Sequence, residues 1–165
     1  MDERSLCTDD SFEHIITKYS DMIYRLAIAQ TRSKYDADDA FQEVFLRYIR
    51  KKPEFQSEEH RKAWFIRVTI NCCKSILASP WKKRIVPLAS FADTLIFETK
   101  EENELFYQLQ KLPPEYRVAI HLFYYENMSI DEICNVLEKK TSAVKMQLSR
   151  ARKRLKEILK DDYYV

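Results

Sequence analysis

Apolar residues in this chain recur at helical spacing along most of its length. From Ser11, a capping residue type, Phe12, Ile15, Ile16, Tyr19, Ile23, Leu26 and Gln30 share one face of a long helix, and only the last is polar. A polar break over Thr31–Tyr35 leads to Asp36, whose side chain suits an N-cap. A second helix then runs to about Arg50, with Ala40, Val44, Phe45 and Tyr48 inward, and Pro53 closes it. The third helix, about 58–77, is apolar over most of its circumference. That suits the centre of a bundle, or a face of rings kept for a ligand.

Pro80 stops the third helix, and Trp81, Lys82, Lys83 and Arg84 follow. Ile85 to Lys100 shows no clear period and contains Pro87, so it reads as a flexible linker. A second helical unit starts near Glu101, where Leu105, Leu109 and Leu112 lead to Pro113-Pro114. A new helix begins there, with Tyr116, Ala119, Ile120 and Phe123 inward. Glu126-Asn127 marks its end, since asparagine tolerates the left-handed conformation of a helix C-cap. Ser129 caps the next helix, with Glu132 three residues on in capping-box position. The pattern predicts an all-α protein with helical units over 11–84 and 101–160 and a linker over 85–100.

Composition supports that reading. The chain contains no glycine, which removes every glycine-dependent phosphate loop and the usual left-handed turns of sheet-rich folds. Apolar content of 45% is enough for packed cores. The four cysteines (Cys7, Cys72, Cys73, Cys134) have no CxxC spacing, and adjacent Cys72 and Cys73 point apart on a helix. Cys134 reads as a small core residue. His14, His60 and His121 are far apart and unpaired with cysteine, so no metal site is expected. There is neither a leader-like N-terminus nor an apolar run of about 18 residues. A soluble, cytoplasmic protein is the expectation.

Net charge is only +2, but it is patterned. Residues 93–115 carry six acids against two lysines, whereas Lys139 to Lys156 holds eight basic residues and no acid. Within Ser129–Lys156, Ile130, Ile133, Cys134 and Leu137 form one apolar face. Val144, Leu148, Ala151, Leu155 and Leu159 form the stripe of a following helix. A helix whose buried stripe is backed by cations has the form of a helix-turn-helix reader of DNA. It is equally the form of a helical hairpin with a solvated face, and charge and periodicity leave both open.

Four blocks in order narrow the choice. Asp36–Arg47 reads DADDAFQEVFLR, Ala63–Ser75 reads AWFIRVTINCCKS, Leu112–Arg117 reads LPPEYR, and SIDEIC is followed by TSAVKMQLSRAR. Together they resemble the sigma-70 family of RNA polymerase sigma factors, and especially its small extracytoplasmic-function (ECF) type. The resemblance spans about Phe12 to Leu159. It implies a σ2-like three- or four-helix bundle over 11–84 and a σ4-like helix-turn-helix domain over 101–160. The linker would thread the polymerase active-site cleft and RNA exit path.

The resemblance also implies roles. Asp39, Phe41, Gln42, Glu43 and Arg47 would dock on the β′ coiled coil of core RNA polymerase, while Val44 and Phe45 face the core. Phe55, Gln56, Arg61, Lys62, Trp64, Arg67, Asn71 and Lys74 would melt and hold the −10 element. Flat rings stack on unpaired bases, and Arg, Asn and Lys satisfy base edges and phosphates. Trp64 is assigned to the core first, and Arg67, Asn71 and Lys74 are the stronger choices for DNA. Ser75 and Ala78 stand where the family usually has Asp and Arg.

Around the last helix, Lys139, Lys140, Thr141, Ser142, Lys145, Met146, Gln147, Ser149, Arg150 and Arg152 would meet the −35 element. Thr141 or Ser142 is expected to cap the helix. Lys145, Met146, Gln147, Ser149 and Arg150 would project into the major groove, and Arg and Gln there can read G and A edges. Met146 and Gln147 replace the family's usual Ser and Arg. Lys139, Lys140 and Arg152 suit phosphates, which position without specifying.

The implied partners are core RNA polymerase (β′ coiled coil and β flap), promoter DNA, and an anti-sigma factor of the kind that is often membrane-anchored. No cofactor, metal or small-molecule substrate is implied, and no catalytic constellation appears, so an enzyme is not expected. The competing reading is a stand-alone helix-turn-helix regulator of LuxR-like type, with the first unit as sensor or dimerisation domain. A sensor has no reason to carry DADDAFQEVFLR followed by AWFIRVTIN.

Overall fold

A computed structural model describes residues 11–79 and 100–163. The expected linker, apart from Lys100, lies outside these residues, as do Cys7 and the Trp81–Arg84 run. Every regular element among the described residues is helical. The order is α1 (Phe12–Thr31), α2 (Lys34–Lys51), α3 (Glu58–Ala78), α4 (Lys100–Leu109), α5 (Pro114–Ile120) with a π-helical continuation (His121–Tyr125), α6 (Ile130–Leu137) and α7 (Thr141–Tyr163). Packing divides them into two compact units, one of α1–α3 and one of α4–α7.

In the first unit α1 and α3 pack together through Ile15, Tyr19, Ile23 and Leu26 on one side and Phe65, Ile66, Thr69, Ile70 and Cys73 on the other. Burying each large apolar side chain contributes on the order of 1.5–3 kcal/mol. Tyr19 stacks on Phe65 (centroids 4.7 Å apart), and Phe45 brings α2 onto the same ring at 5.9 Å. Gln30, the polar end of the α1 stripe, is buried with its amide donating to the Ile70 carbonyl (3.3 Å). Ser11 accepts from the His14 N–H, as a helix-capping hydroxyl should.

The α1–α2 junction is tighter than the sequence suggests. Arg32 takes a left-handed φ of 55°, so only Arg32 and Ser33 separate the helices. Asp36 is therefore not the N-cap but a buried residue of the first turn, where the helix dipole favours its charge. At the far end Lys52, with φ 44°, turns the chain ahead of Pro53. Ser57 then caps α3 by accepting from the His60 N–H (3.1 Å).

In the second unit α5 and α7 form the main packing pair, with Phe106, Leu109 and Leu112 closing the core from α4 and the turn after it. Arg117 of the LPPEYR block is buried and donates to the Leu112 carbonyl (2.7 Å), tying α5 to the turn before Pro113. Burial pushes its pKa down to about 10, so the guanidinium stays charged at neutral pH. The inward residues of α5 are Val118, Ala119, Ile120, His121 and Leu122; Tyr116 and Phe123, expected inside, are half-buried. The π-helical turn rotates the chain so that the Met128 N–H reaches the Leu122 carbonyl (3.1 Å). Asn127 takes the expected left-handed φ, 52°, and Ser129 accepts from the Glu132 N–H (3.1 Å) to start α6.

The face of α6 differs by part of a turn from its apolar count. Ile133 and Val136 are buried, while Ile130, Cys134 and Leu137 are half-buried. Cys134 therefore sits at the edge of the core, with Sγ 3.9 Å from the Thr141 hydroxyl across the turn. Glu138 makes that turn with φ 55° and ψ 46°, a geometry usually reserved for glycine or asparagine. The Lys140 carbonyl accepts the first α7 bond from Val144, so Thr141 and Ser142 lie inside α7 rather than capping it.

Candidate functional site

The first face lies on α2. Ala37, Ala40, Val44 and Phe45 face the core, which turns Tyr35, Asp39, Gln42, Leu46 and Ile49 outward. Their steps of four, three, four and three residues make a straight seam of coiled-coil type. Leu46 (42% exposed) and Ile49 (48%) put two large aliphatic side chains in water on this seam. Sequence reasoning passed over both, although they sit off the buried stripe at coiled-coil spacing. Beside the seam, Arg47 donates to Glu43 (3.1 Å) along the helix, with both half-buried. Asp38 turns the other way: it accepts from the Tyr24 hydroxyl (2.8 Å), where burial and that bond hold the phenol above its ordinary pKa. Phe41, expected as an apolar anchor, is half-buried with its ring against Tyr24 (6.0 Å) and Phe45 (5.0 Å).

The second face lies on α3 and the loop before it. Arg67, Asn71 and Lys74 are exposed at i, i+4 and i+7, so two cations and an amide share one outer stripe. Lys62 and Trp64 are half-buried. Trp64 packs edge-on against Tyr48 (6.0 Å), Phe55 (5.8 Å) and Phe65 (5.1 Å), which places it at the margin of the core rather than in it. Phe55 is half-buried, and Gln56 is exposed with its N–H donating to His60 Nδ1 (3.2 Å).

Arg61 stands apart from the role expected of it. Its guanidinium is buried, lies over the Phe55 ring (5.4 Å) and pairs with Glu58, so it holds the loop instead of facing DNA. Glu58 gathers three donors, Lys18 Nζ (2.8 Å), the Tyr19 hydroxyl (2.7 Å) and Arg61 Nη1 (2.7 Å). These contacts clasp the start of α3 to α1, and the loop bearing Phe55 and Gln56 is fixed with it.

The third face lies on α7. Val144, Leu148 and Ala151 are buried, and Thr141, Ser142, Lys145, Met146, Ser149 and Arg150 are exposed. Gln147, expected on this outer face, is half-buried, and its Oε1 is buried without a hydrogen-bond partner. Lys140 is exposed and Lys139 half-buried in the turn before the helix. Arg152 is engaged within its own unit: Nε donates to the Tyr124 hydroxyl (2.7 Å), and the guanidinium lies 5.2 Å from the Phe123 ring. The side chain is exposed, and these contacts tie α7 to the π-helical turn.

Among the described residues no cluster of His, Cys, Asp or Glu could hold a metal ion. No described helix is long and apolar enough to cross a membrane.

Comparison with known proteins places these faces in context. The family model for Sigma-70 region 2 matches residues 15–83, and that for Sigma-70, region 4 matches residues 103–155. The ECF RNA polymerase sigma factor SigE of Mycolicibacterium smegmatis is 26% identical over 159 residues, covering 90% of this chain. The chain spans 62% of that relative's length. The RNA polymerase sigma factor SigV of Bacillus subtilis is likewise 26% identical, over 89% of this chain and 90% of its own. A solved structure of the sigma factor RpoE in complex with the anti-sigma factor NepR, from Bartonella quintana, shares the fold with a TM-score of 0.70 at 20% identity. That match covers 90% of this chain and 96% of the other.

Proposed function

We infer the function from one premise: the chain belongs to the sigma-70 family of RNA polymerase sigma factors, in its ECF branch. It binds core RNA polymerase, directs it to promoters and helps open the duplex. It carries out no bond chemistry, since nucleotide transfer belongs to the polymerase. The observation that carries this reading is the α2 seam. Five residues at coiled-coil spacing, two of them large aliphatics, are held out of the core of a unit that has its own buried stripe. Such a seam fits a helical partner, and the β′ coiled coil is the one the family supplies.

In this reading Asp39, Gln42 and Glu43 dock with Leu46 and Ile49, and Arg47 is held in register by Glu43. Arg67, Asn71 and Lys74 meet the −10 strand, with Phe55, Gln56 and Trp64 next to it. Lys145, Met146, Ser149 and Arg150 meet the −35 major groove, with Lys139 and Lys140 on phosphates. The β flap receives the second unit. An anti-sigma factor would silence the chain by covering these faces, as NepR accompanies the Bartonella protein. Working on promoters with polymerase, the chain acts in the cytoplasm.

In vitro transcription from a genomic promoter library with purified core polymerase tests the reading. Promoter-specific initiation that depends on the chain is expected. Tight DNA binding by the chain alone with no initiation would favour the stand-alone regulator.

A further inference from the structure

Met146 and Gln147 are neighbours on α7 with opposite placements. Met146 is 49% exposed, on the outer face shared with Lys145, Ser149 and Arg150. Gln147 is half-buried with its carbonyl oxygen shut away from solvent. Reading an adenine edge takes both halves of a glutamine amide, the oxygen accepting from N6 and the nitrogen donating to N7. Half-buried, Gln147 offers less of its amide to a groove than the exposed residues on either side of it along the outer face.

Met146 offers the reverse. It lies off the buried Val144/Leu148/Ala151 stripe and puts an unbranched, adaptable apolar chain in the middle of a cationic and hydroxyl face. In the major groove the one apolar feature a base presents is the C5-methyl of thymine. Lys145 and Arg150, on either side in sequence, suit guanine edges or phosphates. Resting on the reading of α7 as the −35 reader, we propose that Met146 recognises a thymine through its methyl group and that Gln147 takes no part in base readout.

The test uses the full chain assembled with core polymerase. Upstream elements are selected from a library randomised above a fixed −10 sequence. Each thymine of the selected element is then replaced, one at a time, by deoxyuridine, which removes the methyl and keeps the base pairing. One such replacement should weaken promoter binding about four-fold, the factor for one buried methyl. Met146→Ala should abolish that sensitivity, Met146→Leu should keep it, and Gln147→Ala should leave the selected bases unchanged.

The proposal is overturned if no thymine is sensitive to loss of its methyl, if the sensitivity survives in Met146→Ala, or if Gln147→Ala erases an adenine preference. The deoxyuridine arm uses the wild-type chain, so a folding defect in a variant cannot obscure it. A selection that enriches no upstream element sinks the −35 reading of α7 and the Met146 proposal with it. An enriched element indifferent to deoxyuridine sinks the Met146 proposal alone.

Discussion

Arg61 and Glu58 form an ion pair at 2.7 Å in which the guanidinium is 2% exposed and the carboxylate 46%. The buried cation relies on a half-solvated anion, and the same carboxylate also holds Lys18 and Tyr19. Removing the carboxylate takes this ion pair from a buried guanidinium, although water can reach part of the vacated site. Glu58→Ala should therefore destabilise the first unit by about 2 kcal/mol, and Glu58→Gln by less. Thermal unfolding of the two variants measures this.

The same pair sets an acid limb. Burial pushes the Glu58 carboxyl up, but hydrogen bonds from Lys18 and Tyr19 and the charge of Arg61 outweigh it and hold the group below its ordinary 4.5. A carboxyl depressed on folding adds stability above its unfolded pKa and loses it as pH falls through the folded one. Wild-type protein should thus lose stability more steeply than Glu58→Gln on acidification below about pH 4.5. Parallel urea titrations at stepped pH would show the two curves converging in acid; curves that stay parallel would count against it.

Leu46 and Ile49 test the docking seam. Both are exposed, so Leu46→Asp and Ile49→Asp should shift stability by no more than about 0.5 kcal/mol. Each should weaken binding to core polymerase ten-fold or more, because an apolar anchor on a desolvated seam becomes a buried charge. Arg47→Glu with Gln42→Ala should act in the same direction. Fluorescence anisotropy with labelled protein and core polymerase provides the comparison.

Around α7 the cations should separate by salt dependence. Lys139→Ala and Lys140→Ala, in the turn before α7, should each lower the slope of log affinity against log salt, measured with holoenzyme on promoter DNA, by about one unit. Arg152→Ala should leave the slope near its wild-type value and instead lower the unfolding temperature, since it loses the Tyr124 hydrogen bond and the Phe123 ring contact. Tyr124→Phe, which keeps the ring, should lose only about 0.5–1 kcal/mol.

The vicinal cysteines should be inert in the folded protein. Burial, then the neighbouring Cys72 thiol and the Asp36 charge, pushes the Cys73 thiol up to about 12, and burial raises Cys72 as well. Little thiolate forms at pH 8, so alkylation followed by mass mapping should mark Cys134 well before Cys72 or Cys73. In the unfolded chain these thiols ionise near 9.0, which draws the protein towards unfolding as pH rises beyond that value.

Local chemistry was legible wherever a residue acts on its own backbone. Ser11 and Ser129 cap, Asn127 turns, and the Val144/Leu148/Ala151 stripe is buried as its spacing foretells. Asp36 misled because an acid suits both an N-cap and the first turn inside a helix. Only the left-handed Arg32 decides between them. Glu138 gave no signal, because glutamate has no preference for the conformation it adopts there.

Periodicity, capping chemistry and spacing are written along the chain, so the helices, the order of the four blocks and the family can be read from residue types alone. Which side chains remain available for work was decided by tertiary packing. Arg61 and Gln147 look on paper like surface groups fit for DNA, yet Arg61 is buried and Gln147 half-buried, and exposed Arg152 is engaged by Tyr124, 28 residues away in sequence. Leu46 and Ile49 are aliphatic by type and are nonetheless left outside. A residue type fixes what a side chain can do, but burial is a property of neighbours, and neighbours exist only once the helices have packed.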